Sequence, residues 1–145
     1  MPVDVEWFLE NRVVLVHFRG VISIEEIVIA ASQTNAYVEK CDAPLLHTLH
    51  DAAELKQLPH NLKAIRDATQ DGFKQPKLGW IVAYDVHDKM IGFLGNVTMQ
   101  LFRVRYRVVN TETDAIDFLN LVDSTLPPLR PVAEQRFHQS QQLKL

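Results

Sequence analysis

Leu45-Leu46-His47-Thr48-Leu49-His50-Asp51-Ala52-Ala53 is a short apolar run that reaches an acidic residue and gives way to two alanines. Its length and its lack of helical spacing predict a buried parallel strand. That strand delivers Asp51 to the carboxyl edge of a sheet, where open α/β folds place their sites. Ala52 and Ala53 carry no hydroxyl, thiol, amine or imidazole. The position where a nucleophile or phosphoacceptor would stand is therefore blank, which weighs against an enzyme.

Upstream, Val3, Val5, Trp7 and Leu9 alternate with Asp4, Glu6 and Glu10, the period of a half-buried strand. Asn11-Arg12 separates it from Val13-Val14-Leu15-Val16-His17-Phe18, so the pair reads as an antiparallel hairpin ended by Gly20. Ser23 and Glu26 then form a capping box, with Ile22 and Ile27 at the positions of a hydrophobic staple. A helix is expected from there to about Lys40, facing a core with Ile27, Ala30, Ala31 and Val38.

Downstream the alternation continues. Asn61 opens a helix carrying Leu62, Ile65 and Ala68, which Asp71-Gly72 stops. Leu78 to Tyr84 is a second buried strand, and 88–102 reads as a helix with Gly92 and Gly95 inside it. Val104 to Val109 alternates as a strand, and Thr111 caps a last helix with Ala115, Ile116, Leu119 and Val122. The fold class is α/β, a mostly parallel sheet with an N-terminal antiparallel hairpin in the order β-β-α-β-α-β-α-β-α. Right-handed crossovers running one way are expected to put most helices on one face. Residues 1–126 form a single domain on this reading. Residues 127–145, broken by Pro127, Pro128 and Pro131, are a tail or an arm.

Composition bounds the partners. The 145 residues are 47% hydrophobic and 23% charged, as in an ordinary globular domain. A net charge of -3 gives no general attraction for nucleic acid, and no apolar run approaches the roughly 18 to 20 residues of a membrane span. Arg103, Arg105, Tyr106 and Arg107 read as a charged edge strand rather than an RNA patch. A lone cysteine, Cys41, and the lack of a signal-like N-terminus point to the cytoplasm.

The hairpin Val3 to Phe18, Gly20 before Ser23-Ile24-Glu25-Glu26, the acid-ended strand Leu45 to Asp51 and the closing Thr113-Asp114-Ala115-Ile116-Asp117-Phe118-Leu119 together set a pattern of type and spacing. This order, from Val3 to about Leu126, resembles the STAS domain and its SpoIIAA-like relatives, the fold of anti-sigma-factor antagonists and of sulphate-transporter tails. The resemblance implies a protein-binding, regulatory role. In phosphoswitched members a serine lies just past the acid, where this chain has Ala52 and Ala53, so no phosphoswitch is expected here. The same broad superfamily includes domains resembling lipid-exchange proteins of the SEC-fourteen type, which keeps a carrier or sensor of a small apolar ligand or lipid as an alternative.

The chemical candidates are His50 and Asp51 with Asp85, His87 and Asp88, which follow two parallel strands at one sheet edge. Two histidines and three carboxylates suit a divalent metal or acid-base work, so a metal-dependent hydrolase using Asp51, Asp85 and His87 is a third alternative. Their spacing matches no ligand motif, and Asp51, Asp85 and Asp88 all suit turns or helix caps. The reading taken is a binding edge with no metal and no cofactor. On 88–102, Met90, Phe93, Leu94, Met99, Leu101 and Phe102 make an apolar set too wide for one core-facing stripe. Met90, Phe93, Leu94 and Phe102 are therefore the expected contacts of a homodimer.

Overall fold

Near-continuous apolar runs give the central strands two apolar faces, and both are covered. The computed structural model describes residues 2–89, 100 and 104–143. Its elements are β1 (Val3–Leu9), β2 (Val13–Val21), α1 (Ile24–Lys40), β3 (Leu46–Gln57), α2 (Leu62–Phe73), β4 (Leu78–Tyr84), β5 (Tyr106–Val108), α3 (Glu112–Val122) and α4 (Arg130–Leu143). The strands lie in the order β1-β2-β3-β4-β5, with β1 and β2 antiparallel and all other pairs parallel. The α/β order read from the sequence holds for these elements. The expected helix at 88–102, with the dimer residues Met90, Phe93, Leu94 and Phe102, lies outside the described residues.

Each chain turn has a local cause. The Ser23 hydroxyl accepts from the Glu26 amide while the Glu26 carboxylate accepts from the Ser23 amide, closing the capping box that starts α1. Asn61 caps α2 through the Ala64 amide, and Thr111 caps α3 through the Asp114 amide. Asn11, in the hairpin turn, takes a positive φ of 66°, a conformation asparagine tolerates better than most residues.

Two clusters sandwich the sheet. Val14 and Val16 of β2 join Val3, Ile22, Ala30, Val38 and Leu46 on the α1 side. Val13 and Leu15 join Phe8, Leu49, Val82, Tyr84, Ala115, Ile116 and Leu119 on the α3 side. The sequence predicts most helices on one face, with the other more open; among the described residues both faces are covered. α3 follows the last, short strand and folds back beneath β4, because its Ala115, Ile116 and Leu119 stripe needs an apolar surface. The segment expected as a tail or arm holds α4, which lies against β1 and begins just after the buried Leu129. Asn120 fixes the turn before it, donating to the Pro127 carbonyl and accepting from the Leu129 amide. Pro131 stands in the first turn of α4, where no amide is needed.

Candidate functional site

β3 does not end at Asp51. It continues to Gln57, pairing with β2 alone once β4 has stopped at Tyr84. The register with β2 slips between His17 and Arg19, whose partners are Asp51 and Glu54, so Ala52 and Ala53 form a bulge. Asp51 Oδ1 accepts from the Ala53 amide at 3.0 Å, an Asx-type bond that supports the bulge. Asp51 therefore still stands at the carboxyl end of β4. The alanines after it are bulge residues within a strand, Ala52 buried and Ala53 exposed.

The second Asp51 oxygen meets a residue from the hairpin. His17 is the register partner of Asp51, and its Nδ1 lies 3.1 Å from Oδ2. The other ring nitrogen, Nε2, lies 3.3 Å from Glu6 Oε1 on β1. Arg19 repeats the pattern two residues on, bonding Asp4 of β1 and Glu54 of β3. Two rows thus cross three strands, each acid-base-acid: Glu6-His17-Asp51 and Asp4-Arg19-Glu54. Arg136 of α4 joins the first row, donating to Glu6 and to the Trp7 carbonyl while stacking 5.4 Å above the Phe8 ring. An open groove of about 460 Å³ runs along this edge, lined by Asp4, Glu6, His17 and Arg19 among others.

The charges of the row support one another. The Asp51 hydrogen bond is the chief cause that raises the His17 pKa above its ordinary 6.5, outweighing partial burial, and Glu6 adds to it. Burial acts to raise the Asp51 pKa, but the His17 and Ala53 bonds and the nearby Arg19 hold it below the ordinary value. Next to Asp51, Tyr84 is buried at the end of β4 and its phenol is pushed up, first by burial and then by the charges of Asp51, Glu112 and Asp85. Burial also raises Glu112, helped by Asp51, while Arg136 and the Tyr84 hydroxyl oppose it. The Tyr84 hydroxyl has no hydrogen-bond partner among the described residues.

The residues singled out in the sequence do not all converge. His50 follows the pleat to the opposite face from Asp51, where its ring packs edge-on to Phe18 at 5.2 Å. Burial lowers its pKa to about 4, so it is neutral at pH 7. Asp85 is near enough to Tyr84 and Glu112 to act on their charge, and its backbone has a positive φ of 57°. His87 and Asp88 are exposed in the loop that follows. Among the described residues, no group of three or more His, Cys, Asp or Glu side chains is arranged to hold a metal ion.

Sequence reasoning missed His17 as the partner of Asp51, and with it Glu6 and Arg136. The usable signal was the hairpin itself, since Asp4 and Glu6 alternate on one strand while His17 and Arg19 alternate on the next.

A second His-Asp pair closes the far end of the same face. His47, fully buried on β3, has Nε2 2.8 Å from Asp123 Oδ2 at the end of α3, and its Nδ1 accepts from the Trp80 amide at 2.9 Å. Gly79 makes room for that ring, because a Cβ there would stand 2.4 Å from His47 Nδ1. Arg12 of the hairpin turn reaches the same aspartate at 3.5 Å and holds Thr125. This network ties α3 to the sheet and hairpin.

No family model and no curated protein matches this sequence. Solved structures do match its fold. One is the unphosphorylated form of the anti-sigma factor antagonist SpoIIAA, with a TM-score of 0.55 and 10% identity over 81% of this chain and 97% of that one. Another is an uncharacterised protein of the DUF3478 family from Shewanella loihica PV-4, described as having a SpoIIAA-like fold. Its TM-score is 0.57, with 15% identity over 81% of this chain and 91% of that one. The chain has the SpoIIAA-like fold.

Proposed function

We propose that this chain is a non-enzymatic protein-interaction module that acts in regulation through the sheet edge around Asp51. The observation that carries this reading is the state of Asp51 itself. Both its oxygens are committed within the fold, one to the bulge amide and one to His17, and the two residues after it are alanines. Such an edge offers shape and charge to a partner, with its central carboxylate already engaged within the fold. The SpoIIAA-like fold supports the reading, since one similar structure is that of an anti-sigma factor antagonist.

The docking surface on this reading comprises the bulge, the start of α1 at Ser23 and the exposed His87 and Asp88. Recognition there needs no phosphate, in contrast to a serine-switched edge. Self-association through Met90, Phe93, Leu94 and Phe102 belongs to the same proposal, as does a cytoplasmic setting. Among the described residues no helix is long and apolar enough to cross a membrane.

Ala53→Arg tests the docking surface, because it adds a long cation at an exposed bulge position without entering either core. Immobilised wild-type chain is expected to retain, from an extract of the cells that make it, a protein that the variant releases, with equal melting temperatures for the two chains. Equal retention by both chains contradicts the proposal.

A further inference from the structure

His17 stands between carboxylates from two different strands, one at each ring nitrogen. A neutral imidazole has a single N–H, so in that form one nitrogen would turn a lone pair toward a carboxylate oxygen. Only the imidazolium donates to both. The charged groups around it come from the neighbouring strands and from α4: Asp4 and Glu6 from β1, Arg19 from β2, Asp51 and Glu54 from β3, and Arg136 from α4 on Glu6, while Glu112 of α3 lies near enough to Asp51 to feel its charge.

We propose that His17 is a proton-operated tie: as the imidazolium it links β1 to β3 across β2, and loss of its proton releases Glu6 to Arg136 and leaves the Asp51 edge one charge more negative. The geometry decides which contact opens. The Asp51 contact is the shorter, Asp51 is 23% exposed against 49% for Glu6, and the Ala53 amide holds Asp51 in place. Glu6 has a second cation at hand in Arg136. The neutral ring therefore keeps Nδ1–H on Asp51 and turns the Nε2 lone pair to Glu6. The direction of the His17 shift puts the transition above 6.5.

The tie stands whether or not the Asp51 edge docks a partner. If it does, the partner meets a surface whose charge follows pH, so a basic partner binds more tightly as pH rises through the transition.

The test is carbon NMR of the full chain, following the Glu6 carboxyl and the His17 ring from about pH 5 to about pH 9. The two signals are expected to move with one shared midpoint above 6.5, and Glu6 is expected to stay still over that range in His17→Lys. Glu6→Gln should lower the His17 midpoint, which keeps the test sound if the lysine variant fails to fold. A His17 midpoint at or below 6.5, a Glu6 signal that does not follow it, or a midpoint unmoved by Glu6→Gln would overturn the proposal.

Discussion

His47 and His17 each set a ring nitrogen against an aspartate on the α3 side of the sheet, 2.8 Å from Asp123 and 3.1 Å from Asp51. The nitrogen on the far side of each ring separates them. At His47 it meets a backbone N–H, which fixes that nitrogen as an acceptor and the ring as neutral with its proton on Nε2. At His17 it meets a second carboxylate, which calls for a second proton. Burial pulls the same way, lowering His47 despite Asp123, while Asp51 prevails over partial burial at His17. A His-Asp pair therefore does not define a site by itself. Its charge is set by the third group, and here that group makes one pair a sealed structural joint and the other a titratable surface.

Removing the room for the His47 ring should have the largest effect. Gly79→Ala drives a Cβ into His47 Nδ1 and strains the Trp80 bond, and a loss of about 3 kcal/mol in denaturant unfolding is expected. A loss below about 0.5 kcal/mol would mean that the joint adjusts freely.

Acid should weaken the neutral histidines next. His47 and His50 have lowered pKa values, the latter about 4, so below 6.5 the unfolded chain takes up protons that the native chain refuses. Their contribution is complete above 6.5 and is lost as pH falls toward those lowered values. For His50 the loss by pH 5 is on the order of 2 kcal/mol, and His50→Asn should flatten that part of the pH-stability curve. A curve of the same slope in the variant would contradict the assignment.

At the other pair the effects are smaller. Asp51→Ala loses the bulge bond and the His17 contact at a partly exposed position, and about 1 kcal/mol is expected from thermal or urea unfolding. The pH sign also reverses. The raised His17 pKa contributes stability that is present below 6.5 and fades as pH rises through the raised value, so the difference between wild type and His17→Gln should shrink toward alkaline pH. Added zinc or manganese is expected to leave the melting temperature of the wild type and of Asp51→Ala alike unchanged.

Much of this architecture can be read along the chain, because its signals are local. The Ser23-Glu26 box, the Asn61 and Thr111 caps and the period-two runs each announce an element within a few residues. The site resisted because its logic is lateral. Asp51 looked like the last residue of a strand, yet β2 is long enough to carry β3 on to Gln57 through a bulge that no single segment encodes. The neighbour of Asp51 in sequence, His50, faces the other way. Its neighbour in space, His17, lies 34 residues earlier and comes into view only once the strand register is fixed.

The most direct measurement is a nitrogen NMR spectrum of the histidine rings in the intact chain at pH 6.5. The account predicts His17 predominantly as the imidazolium, with both nitrogens protonated, and His47 predominantly as the neutral tautomer with its proton on Nε2. Two rings in the same protonation state would contradict it.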